Sequence, residues 1–227
     1  MSAADSAELT RPLLRRGWTA APDPEQADAV VIATCTVRQH AEDRALSLIG
    51  SLRPWKESDP TRVLIVSGCA AERLKDWLEK RFPYIDLVVG AKSIDDYPRL
   101  VEAALDARFD VFSENRQAFD ETPLLSPTGS SATAFLTIMR GCNYSCSYCI
   151  VPAVRGRESY RPVATLLEEA RQRVGEGAKE IILLGQTVNS YSSEHAGKPV
   201  RLPDLLRLLD ALPGIERLRF MSPHPFF

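Results

Sequence analysis

Short apolar runs alternate with segments of helical periodicity along most of the 227-residue chain, and this alternation restricts the possible folds more than any other feature. In the first half, residues 28–33, 62–66 and 85–90 are rich in Val, Ile and Leu, which predicts three buried strands. Each run is followed by leucines and alanines at helical spacing. This order predicts an α/β fold in which right-handed crossovers build a parallel sheet.

The second half repeats the pattern with longer connections. Residues 133–139, 180–185 and 217–220 predict strands, and Pro162 opens a predicted helix at a position where its missing N–H costs nothing. Strand–loop–helix units of this length predict part of a (β/α) barrel, whose sites lie on the loops after the strands. Residues 110–132 contain Pro, Gly and many hydroxyl residues and predict a linker between domains at 1–109 and 133–227.

The composition predicts a cytoplasmic protein without a membrane segment. Hydrophobic residues make up 44% of the chain and charged residues 26%, and no apolar run approaches the length of a membrane span. A net charge of −2 gives no overall attraction to nucleic acid, so any contact with RNA requires a local basic patch. The five cysteines do not form a pattern typical of secreted disulfide proteins.

Three of these cysteines fall within eight residues, as Cys142, Cys146 and Cys149. Iron–sulfur clusters prefer thiolate ligands and ordinarily take four of them, so three neighbouring thiolates would leave one iron open for another ligand. The alternatives are a zinc site or free thiols. Structural zinc sites usually have four ligands in paired spacing, and no second pair is present, so the spacing favours the cluster.

The other two cysteines each follow a predicted strand of the first half. Cys35 comes after the first strand and Cys69 after the second, and open α/β sheets bind ligands at this carboxyl edge. Because neighbouring strands lie about 4.8 Å apart, the two thiols could share a small metal cluster. Two buried and inert cysteines are an equally weighted alternative.

Polar side chains are also expected near the cysteine loop. Four arginines, of which Arg161 is one, could contact a carboxylate or a phosphate, although a solvated basic loop is the alternative. Gln186 and Asn189 follow the strand at 180–185. A buried amide at that edge would need a hydrogen-bonding partner, which makes a polar ligand plausible.

Taken together, the motifs resemble the methylthiotransferases of the radical S-adenosylmethionine (SAM) superfamily, and among them the MiaB-type tRNA enzymes, over essentially the whole chain. The motifs are Thr34-Cys35-Thr36-Val37-Arg38, Gly68-Cys69-Ala70-Ala71-Glu72-Arg73, Arg140-Gly141-Cys142, Cys146-Ser147-Tyr148-Cys149-Ile150-Val151-Pro152, Arg155-Gly156, Arg161-Pro162 and Ser222-Pro223-His224-Pro225. The run from Leu184 to Tyr191 is similar to the Gly-Gln-x-Val-Asn-x-Tyr run of the MiaB type and differs from that of the ribosomal-protein enzymes.

This resemblance implies a flavodoxin- or Rossmann-like methylthiotransferase domain followed by a partial radical-SAM barrel. It implies two 4Fe-4S clusters, one on the three loop cysteines and one on Cys35, Cys69 and a further ligand. It also implies SAM bound near Tyr148, Gln186 and Asn189, with Arg161 as a weaker candidate.

The implied reaction adds a methylthio group to carbon 2 of isopentenyladenosine near the tRNA anticodon. Flavodoxin or ferredoxin is the implied electron donor, and the enzyme is expected to act as a monomer. Related activities on threonylcarbamoyladenosine in tRNA or on a ribosomal protein are alternatives within the family. A non-catalytic iron–sulfur or zinc module is the alternative of another class.

The chain departs from the family pattern in three places. The family begins with a strand ending in Gly-Cys-Gln-Met-Asn, whereas this chain opens with Met1-Ser2-Ala3, so the third ligand of the second cluster is expected to be absent. Further barrel strands and the RNA-binding TRAM domain are expected to be absent as well, and Tyr160 stands where the family more often has serine. Weak or no methylthio transfer by this polypeptide is therefore expected.

Overall fold

The computed structural model describes residues 3–108 and 132–226. The chain divides into two compact units, Met1–Leu124 and Leu125–Phe227. The predicted linker at 110–132 lies, except for its last residue, outside the described residues. The exact boundaries of the predicted domains, 1–109 and 133–227, stay predictions.

The first unit is an α/β unit built on three parallel strands in the order β1-β2-β3. Its elements are α1 (Ala3–Arg15), β1 (Ala29–Thr34), α2 (Gln39–Ser51), α3 (Arg53–Ser58), β2 (Val63–Gly68), α4 (Cys69–Arg81), β3 (Leu87–Gly90) and α5 (Tyr97–Arg108). This arrangement confirms the predicted parallel sheet. All six residues of the central strand β2 are buried, as expected of a strand covered on both faces.

Alternate residues of β2 face opposite layers of helices. Leu64 and Val66 pack with residues of α2, α3 and α4, whereas Val63 and Ile65 pack with residues of α1 and α5. The two-residue period of a strand produces this division, and each face buries its own apolar cluster.

Pro54 lies close to the boundary between two helices. The helix α2 ends at Ser51 and α3 begins at Arg53, with Pro54 in the first turn of α3. Proline is tolerated in a first helical turn because its missing N–H would have no partner there. The proline therefore opens the short helix α3.

The second unit contains three parallel strands in the order β10-β7-β4. Its elements are β4 (Thr133–Thr137), β5 (Met139–Arg140), α6 (Val151–Arg155), β6 (Ser159–Tyr160), α7 (Val163–Gly175), β7 (Glu180–Leu184), β8 (Ser192–His195), β9 (Lys198–Arg201), α8 (Leu202–Asp210) and β10 (Arg217–Phe220). The order strand–helix–strand–helix–strand confirms the predicted β/α units. The antiparallel pairs β5–β6 and β8–β9 were not predicted.

The core of the second unit lies between its sheet and its two long helices. Leu136, Ile181 and Leu183 of the strands pack with Leu166 of α7 and Leu205 of α8. This packing leaves the loops after β4 and β7 at the carboxyl edge of the sheet, where the cysteine loop begins.

None of the helices that the structure describes is long and apolar enough to cross a membrane.

Candidate functional site

The cysteine loop lies between β5 and α6 and is held at both ends by backbone hydrogen bonds. The N–H of Cys142 donates to the carbonyl of Gly156 at 3.1 Å, and the N–H of Cys149 donates to the carbonyl of Cys146 at 3.0 Å. All three loop cysteines are half-buried, and none is in a disulfide. The three cysteines therefore lie on a hydrogen-bonded loop that is partly exposed to solvent.

Gly141 allows the start of this loop to pass close to the segment after α6. Its φ of +77° lies in the left-handed region, and a Cβ at this position would lie 2.1 Å from the carbonyl oxygen of Arg157. Only glycine meets both conditions without strain. The residue before the first cysteine is thus fixed by backbone geometry.

The segment after β7 contacts the beginning of the cysteine loop. The N–H of Gly141 donates to Gln186 Oε1 at 2.7 Å, and the hydroxyl of Thr187 lies 3.2 Å from Cys142 Sγ. Thr187 is completely buried. The run from Gln186 to Thr187 therefore positions both the backbone and the first sulfur of the loop.

A second contact comes from the segment after β10. His224 Nε2 lies 3.9 Å from Cys146 Sγ. The side chain of Asn189 holds this histidine through its backbone, since Asn189 Nδ2 donates to the His224 carbonyl at 2.6 Å and the His224 N–H donates to Asn189 Oδ1 at 2.8 Å. Asn189 thus connects the loop after β7 with the segment after β10.

Three aromatic rings form a stack beside the same sulfur. The rings of Tyr144 and His224 are nearly parallel, with centroids 3.8 Å apart and an interplanar angle of 6°. Phe226 is also nearly parallel to His224 at 5.3 Å. The stack fixes the orientation of the imidazole next to Cys146.

The predicted SAM-contacting residues are near the loop, but three of them already contact other protein groups. Tyr148 is 88% exposed. Gln186 accepts from Gly141 and Asn189 holds His224, while Arg161 donates to the Thr137 carbonyl at 2.8 Å and pairs with Glu169 at 2.8 Å. Their contact with SAM stays a prediction.

Cys35 and Cys69 lie at the same edge of the sheet in the first unit. The parallel register pairs Thr34 with Gly68, and each cysteine is the next residue in its strand direction. Cys69 is buried at 3% exposure and begins α4, whereas Cys35 is half-buried. The structure therefore brings these two thiols to neighbouring strand ends, as the sequence predicted.

The surroundings of Cys35 favour its thiolate. Burial raises the pKa of the Cys35 thiol, but hydrogen bonds from the backbone N–H groups of Val37 and Arg38 are among the causes that bring this pKa below its ordinary value. A thiolate is the form that binds metals.

Polar contacts fix the loop that carries Cys35. Thr36 Oγ1 donates to Glu42 Oε2 at 2.6 Å, Arg73 Nε donates to Thr36 Oγ1 at 3.1 Å, and Arg73 forms an ion pair with Glu42. Glu42 is almost fully buried. These contacts join the loop after β1 to α2 and α4 and hold the two cysteine-bearing segments together.

The donor types in the loop fit an iron–sulfur cluster better than a single metal ion. Among the described residues, no group of three or more His, Cys, Asp and Glu side chains is arranged to hold a metal ion. A four-iron cluster binds each thiolate through a different iron, so its ligands lie farther apart than those of one zinc ion. Three half-buried thiols with hydrogen-bond donors beside two of them match the cluster.

Gly141, Thr187 and His224 are site residues that the sequence did not single out individually. Each lies in a run that the family resemblance had identified, so the only available signal was membership of that run. Their specific contacts became visible only in the structure.

Comparison with known proteins identifies a domain in each unit. Residues 1–90 match the model of "Uncharacterized protein family UPF0004", and residues 136–225 match the model of the "Radical SAM superfamily". The second match includes the whole cysteine loop.

Similar curated proteins carry the name tRNA-2-methylthio-N(6)-dimethylallyladenosine synthase. The protein of Citrifermentans bemidjiense is 37% identical over 228 aligned residues, which cover 99% of this chain and 51% of that protein. That of Acidithiobacillus ferrooxidans is 40% identical and covers 89% of this chain and 46% of its own length. This chain thus spans about half the length of the curated relatives that it matches.

A solved structure supports the fold. The radical SAM methyltransferase TsrM from Kitasatospora setae matches with a TM-score of 0.53 at 13% identity, over 83% of this chain and 46% of that chain. The chain thus carries a UPF0004 match followed by a radical-SAM match, and it is similar over nearly its whole length to the curated tRNA-2-methylthio-N(6)-dimethylallyladenosine synthases named above.

Proposed function

We propose that this chain provides the cluster-binding and SAM-binding part of an enzyme that adds a methylthio group to carbon 2 of isopentenyladenosine in tRNA. The observation that carries this proposal is the loop with Cys142, Cys146 and Cys149 at the carboxyl edge of a parallel sheet. Relatives at 37% identity named for this reaction support the choice of substrate.

In this proposal Cys142, Cys146 and Cys149 would hold a 4Fe-4S cluster, which would supply the electron for the cleavage of SAM. The chain positions the thiolates through Gly141 and Thr187. Tyr148, Gln186, Asn189 and Arg161 remain the proposed contacts with SAM.

Cys35 and Cys69 are the proposed ligands of a second 4Fe-4S cluster in the first unit. The adjacent strand ends support this role, because they bring the two cysteines to the same edge of the sheet. This cluster is the proposed source of sulfur.

The partners follow from the same reaction. The substrate is tRNA, and the electron donor is a flavodoxin or a ferredoxin. We propose that the enzyme acts in the cytoplasm and as a monomer.

Mass spectrometry of tRNA tests the substrate. The full-length gene that contains the coding sequence of this chain is deleted in the organism of origin, and the same full-length gene is restored as wild type or with Cys142→Ser. We expect deletion to abolish the methylthio group on isopentenyladenosine, the wild-type gene to restore it, and the Cys142→Ser gene to fail. An unchanged methylthio content after deletion would refute the assignment, and a loss confined to threonylcarbamoyladenosine or to a ribosomal protein would move the activity to that substrate.

A further inference from the structure

We propose that Thr187 and His224 are positioning residues that hydrogen-bond the thiolates of Cys142 and Cys146 and so raise the reduction potential of the cluster on the loop. This inference rests on the proposed function, because it requires a cluster on these cysteines. It assigns a role to two side chains that the resemblance left without one.

The geometry of Thr187 leaves its hydroxyl directed at sulfur. Its N–H contacts Met139 Sδ at 3.4 Å, and its carbonyl accepts from the hydroxyl of Ser190 at 2.8 Å. With the backbone held in this way, Oγ1 lies 3.2 Å from Cys142 Sγ in a fully buried position. A thiolate has no proton to give, so the threonine hydroxyl is the donor.

The tautomer of His224 follows from its other ring nitrogen. The N–H of Phe226 donates to His224 Nδ1 at 3.3 Å, so we infer that Nδ1 is the acceptor and Nε2 carries the proton. Nε2 lies 3.9 Å from Cys146 Sγ. The stack with Tyr144 and the two hydrogen bonds between the Asn189 side chain and the His224 backbone hold the ring in this position.

Both contacts change the energy of the reduced cluster. Reduction adds negative charge that is shared with the thiolate sulfurs, and a nearby O–H or N–H dipole stabilises that charge. Thr187 lies in the loop after β7 and His224 in the segment after β10. The fold of the second unit therefore brings both side chains next to the loop that begins after β5. Removing either donor should make the cluster harder to reduce.

The test measures the midpoint potential of the cluster by electron paramagnetic resonance (EPR) during an anaerobic redox titration. The full 227-residue chain is used with Cys35→Ala and Cys69→Ala, so that only the loop cluster contributes. In this background we compare Thr187→Val, Thr187→Ser and His224→Phe. Valine retains the shape of threonine without its hydroxyl, serine retains the hydroxyl, and phenylalanine retains the ring stack without Nε2.

We expect Thr187→Val to lower the ratio of reduced to oxidised cluster about tenfold at a fixed potential, which for one electron corresponds to about 59 mV. Thr187→Ser should titrate like the parent, and His224→Phe should shift in the same direction as Thr187→Val. Thr133→Val is the matched control, since Thr133 bonds Glu180 at 3.0 Å at the amino end of β4.

The outcomes separate this inference from the function on which it rests. If Thr187→Val, His224→Phe and the parent share one midpoint at equal iron content, the positioning role is refuted and the cluster remains. If Thr187→Ser shifts as far as Thr187→Val, the effect belongs to packing and the hydroxyl role is refuted. If the parent binds no cluster, or its EPR spectrum ignores SAM, the proposed function itself is refuted.

Discussion

Gly141 determines whether the cysteine loop can start in the observed position. Its φ is +77°, and an added Cβ would lie 2.1 Å from the carbonyl oxygen of Arg157. We expect Gly141→Ala to destabilise the second unit by about 1–3 kcal/mol, because a strained backbone and a steric overlap combine. Iron content after reconstitution should fall as well, since the first cysteine follows directly.

Gly197 provides the matched control for this change. Its φ of +74° is almost the same, but no atom lies within 4 Å of a Cβ built there. Gly197→Ala should therefore give a smaller loss of stability in thermal unfolding followed by circular dichroism, with iron loading unchanged. Equal iron loading in the two variants would contradict the role of the close approach at Gly141.

Tyr97 gives a prediction about pH. Its hydroxyl is buried and lacks a hydrogen-bond partner among the described residues, and burial raises the pKa of Tyr97 well above its ordinary value. The unfolded chain therefore loses this proton near pH 10 while the folded chain keeps it, so stability falls as pH rises beyond about 10. Tyr97→Phe should remove part of this loss of stability at high pH.

Urea denaturation at pH 7 and at pH 10.5 measures the effect. At pH 7 we expect Tyr97→Phe to be neutral or to stabilise by about 1 kcal/mol, because an unpaired buried hydroxyl is removed. At pH 10.5 the free energy of unfolding of Tyr97→Phe should exceed that of the parent chain by more than it does at pH 7. A constant difference between the two chains at both pH values would show that Tyr97 does not titrate as inferred.

At the level of secondary-structure elements, a buried ion pair connects α3 to the central strand of the first unit. Lys56 Nζ lies 2.7 Å from Asp86 Oδ2, and their side chains are 6% and 8% exposed. The same carboxylate oxygen accepts from the N–H of Leu64 at 2.7 Å, and Lys56 also donates to the Arg62 carbonyl. One carboxylate thus connects α3, β2 and the residue before β3.

We expect Asp86→Ala to lower the free energy of unfolding of the first unit by about 3–5 kcal/mol, because it leaves the Lys56 charge buried without its partner. Tryptophan fluorescence during urea denaturation reports this unit, since Trp18, Trp55 and Trp77 all belong to it. Glu57→Ala, which breaks an exposed pair with Arg53, is the control and should change little. Equal losses of unfolding free energy in Asp86→Ala and Glu57→Ala would contradict the stabilising role of the buried ion pair.

The order of long elements could be predicted from the sequence because each buries a continuous apolar face. The strand β2 is buried along its whole length, and its hydrophobic run was recognised. The hairpin of β8 and β9 escaped prediction, because Ser192–His195 has no apolar alternation and only the turn at Ala196 and Gly197 marks it. Short polar strands carry too little hydrophobic signal to be detected.

The cysteines of the candidate site stand out in the sequence, whereas the side chains that contact them do not. The spacing of Cys142, Cys146 and Cys149 is local and visible in the sequence. The contact of Thr187 with Cys142 joins residues 45 positions apart, and that of His224 with Cys146 joins residues 78 positions apart. Only the folded chain determines such pairs.

For the molecule as a whole, we propose one cluster in each unit. Cys35→Ala with Cys69→Ala should lower the iron bound by the reconstituted chain while the response of the EPR spectrum to SAM is kept. Alanine at the three loop cysteines should abolish that response. If the SAM response disappears in the Cys35→Ala and Cys69→Ala chain, the two sites are not separate.

The central claim is that the loop cysteines hold a cluster with an iron open to SAM, and EPR spectroscopy of the reduced, anaerobically reconstituted chain tests it most directly. The account predicts a 4Fe-4S signal whose shape changes on addition of SAM and which is lost in Cys142→Ala. A reconstituted chain without such a signal, or with a signal that SAM leaves unchanged, would contradict it.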